Sequence, residues 1–306
     1  MAKGTEFEKL VRQIYSELEP RAQVIHNDKI RGFNSQLERQ IDVSIRAKVA
    51  SHNVLIIVQA KDYTQPVGVN IVESFAEVVK DVRASKGVLI CNAGFTKPAI
   101  NYARNIGIDL CSIHDARSRN WSLDIRLPLL WIDLLPEMRL SLKCYLEAGD
   151  TFPENPHLWI LSTDNGKTRL LPCETFERKW NALELDRTCG KTHVLLPMQE
   201  NIQLLVGKDI WRPVDSLTIE YTVSRKAWLG YMAPSECRGI LDRIKDEFLP
   251  TYFNIGDIPM KRDQSWKPIE NPEEVIVSTK GTLVTTEHCQ ISSGQAKYNF
   301  FAQKLE

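Results

Sequence analysis

No run in the sequence approaches the roughly 18 apolar residues that an α-helix needs to cross a bilayer, and the opening MAKGTEFEKL lacks the apolar core of a secretory signal. A cytoplasmic protein is therefore expected, with no membrane partner. Neither charge sign is in surplus: Lys plus Arg and Asp plus Glu each number 39. The chain as a whole has no field to gather a polyanion, so any nucleic-acid contact must come from a local patch. CxxC pairs are missing too. Seven cysteines (Cys91, Cys111, Cys144, Cys173, Cys189, Cys237 and Cys289) are scattered and odd in number, which argues against a disulfide framework and for reduced thiols. Cys189 and His193 have the spacing of half a zinc site without a second pair, and are read as structural. Two Gly-Lys-Thr tripeptides, at 166–168 and 190–192, have Leu161 and Leu185 where a phosphate-binding loop needs its first glycine. The stretch DNGK at 164–167 reads instead as a hairpin turn.

The chain does hold ample core material. At 306 residues, 43% hydrophobic and 25% charged, it has ordinary globular composition and length enough for two domains. Phe7, Leu10, Val11, Ile14 and Leu18 share one helical face over 5–18, stopped by Pro20. AQVIH reads as a first strand. Ile41, Val43 and Ile45 alternate with polar residues as a second, and 54–61 is a third, the last two forming a hairpin. Val72, Phe75, Val79 and Val82 predict a helix over 69–83, and GVLIC (87–91) a buried strand. Thr96 can cap a helix that tolerates Pro98 in its first turn, and IDLCSI closes as a strand. The order to about residue 115 is that of a mixed sheet flanked by helices, an α/β fold. From Ser118 onward, short apolar or alternating segments such as LSLKCYL, HLWILST, SLTIEYTV and EVIVSTKGTLVTT predict a β-rich second domain. One helix is expected in it, around 235–249, on Ile240, Leu241, Ile244 and Phe248. The expected domains are 1–117 and 118–306. All seven tryptophans lie beyond residue 118; core packing is the expected use of most of them.

LIIVQAKDY (55–63) raises the chemical question. A strand built for the interior ends in an amide and a cation two residues apart, and in an extended chain Gln59 and Lys61 project to the same face. If the hairpin turn spans Val49 to His52, Lys48 opposes Asn53 and Asp42 falls opposite Gln59, where Cβ atoms are about 4.5–5.5 Å apart. The hairpin then presents a carboxylate, an amide oxygen and an ammonium to one small volume. Such oxygens suit Mg²⁺, and a nearby Lys can orient water or offset charge on a phosphorane-like transition state. The first helix can add Glu8, with Glu6 the weaker candidate. The plainer readings are that the strand emerges into water and that the glutamates answer the helix dipole. Glu38 reads as a surface or loop-anchoring charge.

The segments GTEFEKLV, RQIDVSI, VQAKDY, PVGVNIVESFAEVV and KGVLICNAGFTKPAINYARNIGIDL together resemble the Mrr-type restriction endonucleases, within the PD-(D/E)XK nuclease superfamily, over roughly residues 4–113. The resemblance implies a restriction-endonuclease-like fold and makes Asp42 the metal-binding acid. Gln59 takes the position usually held by Glu or Gln, Lys61 is the catalytic lysine and Glu8 the acid of the first helix. The metal would be held by Asp42, Gln59, the Ala60 carbonyl and Glu8. Where the family commonly has Gly-Asp-Gly-Gly before the acid, this chain has RGFNSQLERQI before Asp42, which leaves substrate preference open.

Two functions follow from this reading. The first is a Mg²⁺-dependent endodeoxyribonuclease, with Mn²⁺ the alternative metal and double-stranded DNA the substrate. The resemblance suggests host defence, and a homodimer stays open. The second is a non-catalytic nucleic-acid-binding or interaction protein that retains the nuclease fold, a reading favoured by the neutral net charge and by Gln59. RNA or branched DNA also remains open as substrate, as does the role of the second domain.

Overall fold

The computed structural model describes residues 3–118, 120–196, 201–279, 281–291 and 297–305. It divides into two compact units: the chain up to Leu129 with Tyr231–Ser265 and Glu273–Val284, and Leu130–Gly230 with Trp266–Pro272 and the chain from Thr285.

In the first unit α1 (Lys3–Leu18) precedes β1 (Gln23–Arg31), β2 (Glu38–Val49) and β3 (His52–Lys61). There follow α2 (Val69–Asp81), β4 (Lys86–Cys91), α3 (Lys97–Ile106) and β5 (Asp109–Asp115). This is the expected mixed α/β layout, with helices flanking a mixed sheet. The apolar stripe of α1 is sealed as its spacing requires: Phe7, Val11 and Ile14 are fully buried, against Val43, Ile45 and Val58. On the other layer Val72, Phe75 and Ala76 of α2 meet Ile57, Leu89 and Leu110. Thr96 caps α3 by accepting from the Ala99 amide, Pro98 sits in the first turn, and Gly107 ends the helix at a φ of 78°.

The β2–β3 hairpin has the expected register, Lys48 opposite Asn53, but a tighter turn. Val49 and His52 also pair, leaving Ala50 and Ser51 as a two-residue loop with φ of 47° and 69°, the left-handed pair that matches strand twist. The alternation of Ile41, Val43 and Ile45 does not hold throughout. Val43 and Ile45 pack on α1, whereas Ile41 joins Ile57 and the α2 layer. The β1–β2 pairing is interrupted between them: Asn27, at a φ of 54°, falls between the His26–Val43 and Asp28–Ile41 pairs.

The remaining elements in chain order are β6 (Leu127–Tyr145), β7 (Leu161–Ser162), α4 (Pro172–Asn181), β8 (Thr192–Leu196), β9 (Gln203–Leu205), β10 (Trp211–Met232), β11 (Cys237–Asp242), β12 (Glu247–Phe253), β13 (Lys267–Ile269), α5 (Pro272–Ser278), β14 (Val284–His288) and β15 (Lys297–Leu305). The C-terminal region is strand-rich, as expected, but a single boundary after residue 117 is not what the structure has. β11 and β12 return to the first unit and extend its sheet to seven strands in the order β1-β2-β3-β4-β5-β11-β12, with β3, β4 and β5 parallel. An eight-stranded sheet centred on β6 and β10 forms the other.

The helix expected over 235–249 is this β11–β12 hairpin. Its helical spacing is a coincidence of apolar residues overridden by tertiary pairing: β5 offers an open edge, and β11 fills it with Ile240 opposite Ile113. Gly239 is needed there, since a Cβ would come within 2.3 Å of the Leu249 carbonyl oxygen. Asp242 accepts from the Ile244 and Lys245 amides, and Asp246 has a φ of 59°, so the chain turns where a helix would run on. Two helices lie where strands or loops were expected. α4 starts on Pro172 and buries Cys173, Phe176 and Trp180. α5 starts on Pro272 with Glu273 and Glu274 in its first turn and takes up the first part of EVIVSTKGTLVTT. The seven cysteines are all free, and DNGK forms a turn whose Asp164 accepts from the Thr168 amide and hydroxyl. Trp131, Trp159 and Trp180 are buried in the second unit.

Candidate active site

Asp42 lies midway along β2, and one of its carboxylate oxygens, Oδ2, is held from the neighbouring strand. The Ala60 backbone N–H donates to it at 2.8 Å and the Gln59 side-chain amide at 3.3 Å. The β2–β3 pairing runs from Val49 opposite His52 to Val43 opposite Val58, and Asp42, one residue beyond it, reaches Gln59 and Ala60 through its side chain. Burial holds the Asp42 carboxyl above its ordinary range. The Ala60 N–H works against that, the Glu8 charge adds to it, and Lys61 and the Gln59 amide oppose it. Glu8 and Lys61 are therefore both within electrostatic reach of Asp42, while Gln59 touches it directly.

Each partner is positioned by its own element. Lys61 is the last residue of β3, anchored opposite Cys91 of β4. Glu8 follows the fully buried Phe7 on α1, which fixes its direction. Glu6 is not part of the group: it pairs with Lys9 at the surface. Glu38 is also a surface charge, 3.8 Å from Lys29.

Three residues at the site were not singled out in the sequence. His26 of β1 places Nε2 3.0 Å from Glu8 Oε2, so Glu8 is oriented by a second strand as well as by its helix. The alternation of Val24 and His26 in the first strand is the one signal that could have found it. Asn27 marks the break in the β1–β2 pairing next to Asp42, in a left-handed conformation that Asn tolerates better than most residues; an Asn-Asp pair interrupting a strand was its trace. Trp121 packs at a tilt against Phe7, with ring centroids 5.4 Å apart, and donates its indole N–H to Asp62 at 3.3 Å. It thus touches the chain neighbours of both Glu8 and Lys61. Nothing in its local sequence marks it.

The ligands expected from the sequence are all oxygens: the Asp42 and Glu8 carboxylates, the Gln59 amide and the Ala60 carbonyl. Among the described residues no three His, Cys, Asp or Glu side chains form a metal cluster.

Residues 1–116 match the restriction endonuclease family model of the Mrr catalytic type. That segment is similar to the catalytic domain of Mrr-type restriction endonucleases, and the match supports nuclease activity in general. No curated protein matches the chain. One solved structure, the crystal structure of a protein of unknown function, aligns over 34% of this chain and 56% of its own, at 18% identity and a TM-score of 0.28; the chain thus spans little more than half of that protein. No helix among the described residues is long and apolar enough to cross a membrane.

Proposed function

We propose that the chain is a Mg²⁺-dependent endodeoxyribonuclease that hydrolyses phosphodiester bonds of double-stranded DNA. The observation that carries the reading is the Asp42 carboxylate gripped by the Ala60 N–H and the Gln59 amide, with Glu8 and Lys61 beside it, inside the segment that matches restriction endonucleases.

The residues fit a hard divalent cation. A half-buried carboxylate whose proton affinity is raised by burial and by a second carboxylate sits in excess negative potential, and a dication relieves both. Asp42, Gln59, the Ala60 carbonyl and Glu8 would hold Mg²⁺, with Mn²⁺ the alternative, and when bound the ion supplies Lewis-acid stabilisation of the phosphoryl oxygens. The chain's own part is positional and electrostatic. His26 holds Glu8, and the Ala60 N–H and the Gln59 amide hold one oxygen of Asp42. Lys61 offers an ammonium to orient the attacking water and to offset negative charge as a P–O bond forms on one side of phosphorus and another breaks opposite it. Gln59 contributes an oxygen without a charge, so the site holds metal more weakly than one with a carboxylate there. Defence against foreign or modified DNA is the biological role this reading favours.

A supercoiled-plasmid nicking assay tests it. Relaxation with Mg²⁺ and none with chelator is expected from the unsubstituted chain, and Lys61→Ala should lower the rate about a hundredfold or more. Retention of the wild-type rate by Lys61→Ala would refute the site. Duplex binding with no cleavage in either metal would leave the non-catalytic reading in its place.

A further inference from the structure

Toward the turn of the β2–β3 hairpin the first unit has a groove of about 770 Å³, whose lining includes Arg21, Arg46, Lys48, Asn53, Arg83 and Ser85 and no Asp or Glu. The cations come from separate segments: Arg21 ahead of β1, Arg46 and Lys48 on β2, and Arg83 just past α2. Arg46 is already spent, bonded to Asp28 at 2.6 Å. The other three have no acidic partner among the described residues, and all three are exposed. The Arg83 guanidinium lies over the Phe33 ring, 3.2 Å from its centroid, a contact that uses the flat face and leaves the N–H edge free. Neutral donors accompany them. Ser85 Oγ accepts from the Leu55 amide at 3.2 Å, which leaves its own proton to donate, and the Asn53 side chain is exposed near the start of β3.

We propose that this groove binds the phosphate backbone of duplex DNA at a distance from the scissile bond, with Arg21, Lys48 and Arg83 as the contacting cations; the proposal rests on the nuclease reading above, to which it adds a second anchoring surface. The chain carries 39 cations and 39 anions, so no net charge draws in a polyanion, and a local group of cations with no acid among the lining residues is where one can be held. An arginine edge and neutral N–H and O–H donors suit phosphate oxygens. The placement suits a duplex that extends past the site: Lys48 is six residues beyond Asp42 on β2, roughly 20 Å at the rise of a strand and about six base pairs of DNA. Contacts to the backbone carry no sequence information, so this surface would fix the register of the duplex and not its specificity.

The test is binding of a labelled DNA duplex by the full chain in chelator, where nothing is cleaved, followed by fluorescence anisotropy across a salt series. Removing one cation that neutralises a phosphate should lower the slope of log affinity against log salt by about one. Arg21→Ala, Lys48→Ala and Arg83→Gln should each show that decrease and the triple variant about three times as much, while Arg83→Lys, which keeps the charge, should retain the slope. Lys80→Ala is the control: Lys80 is a surface cation outside the groove, paired with Glu77 at 2.7 Å, and its loss should leave the slope unchanged. Thermal melting of the Arg21 and Lys48 variants should match the unsubstituted chain. Unaltered slopes in the three groove variants would overturn the proposal, as would an equal decrease in Lys80→Ala or the absence of salt-dependent duplex binding. Cleavage is scored separately. Groove-dependent slopes in a chain that fails to nick plasmid in Mg²⁺ would support the groove and refute the nuclease reading, whereas nicking with unaltered slopes would do the reverse.

Discussion

The Ala60 backbone N–H donates to Asp42 Oδ2 at 2.8 Å, across the two strands that form the hairpin. A main-chain donor cannot rotate away as a side chain can, so the orientation of this carboxylate is tied to the register of the sheet rather than to a rotamer.

Replacing Asp42 by Asn is expected to separate activity from stability. Its raised proton affinity means that Asp42 favours the folded state at acid pH, below its unfolded value, and that this contribution is lost as pH rises through the folded value. At neutral pH without metal the ionised carboxylate is a burden on the fold. Asp42→Asn should therefore melt higher than the wild type at pH 7 in chelator, with the gap closing in acid, while nicking falls about a hundredfold or more. Melting curves at the two pH values check the first part, and a lower melting temperature for the variant at pH 7 would contradict it.

Gln59→Glu should shift the metal requirement. A carboxylate adds charge at a partly solvated site, an effect on the order of 1 kcal/mol, so half-maximal cleavage should need less Mg²⁺. In chelator the added charge lies close to Asp42, 3.3 Å from the present amide nitrogen, and should raise the acid's proton affinity further and cost stability. Mg²⁺ titrations of the rate for both forms decide it; an unchanged or greater requirement would mean that residue 59 does not face the metal.

Phe75 joins α2 to the sheet. It is 3% exposed, and a Cβ on Gly87 would lie 3.1 Å from its ring. Phe75→Ala leaves a cavity that this close packing cannot fill, and a loss of about 3 to 5 kcal/mol is expected. Denaturant unfolding measures it directly, and an unchanged midpoint would show that the ring is dispensable to the core.

Asp81 should govern stability in acid. At the end of α2 its carboxylate accepts from the Ser35 hydroxyl and amide, the Arg39 guanidinium and the Asn34 amide, which hold it well below the ordinary value of 3.8. The stability this lends is complete above that ordinary value and is lost as pH falls through the lower, folded one. Asp81→Asn should thus lower the melting temperature at pH 7 and flatten its fall between pH 4 and 2. Gly32→Ala should act in the same direction, since its Cβ would come within 2.3 Å of Asp81 Oδ2. Unaltered melting of both variants at pH 7 would remove the loop's dependence on Asp81.

How much of this was legible in the sequence depended on how local its cause was. The helices around Phe7, Phe75 and Ala103 and the strand Ile56–Ile57–Val58 are set by spacing that any buried face imposes, and the hairpin register follows from counting across a turn. Asp42, Gln59 and Lys61 could therefore be brought together from sequence, because strand pairing converts positions into neighbours. The segment 235–249 had an apolar pattern compatible with a helix, and the open edge of β5, which no local pattern records, made it strand. The same limit applies at the site. Glu8 shares its chain neighbourhood with a visible apolar stripe, but His26 meets it only because α1 lies over β1, and Trp121 reaches Phe7 and Asp62 only because the chain after β5 folds back. Local periodicity fixes which face of an element is apolar, while the partner of that face is chosen by the free energy of the assembled layers, which depends on every element at once.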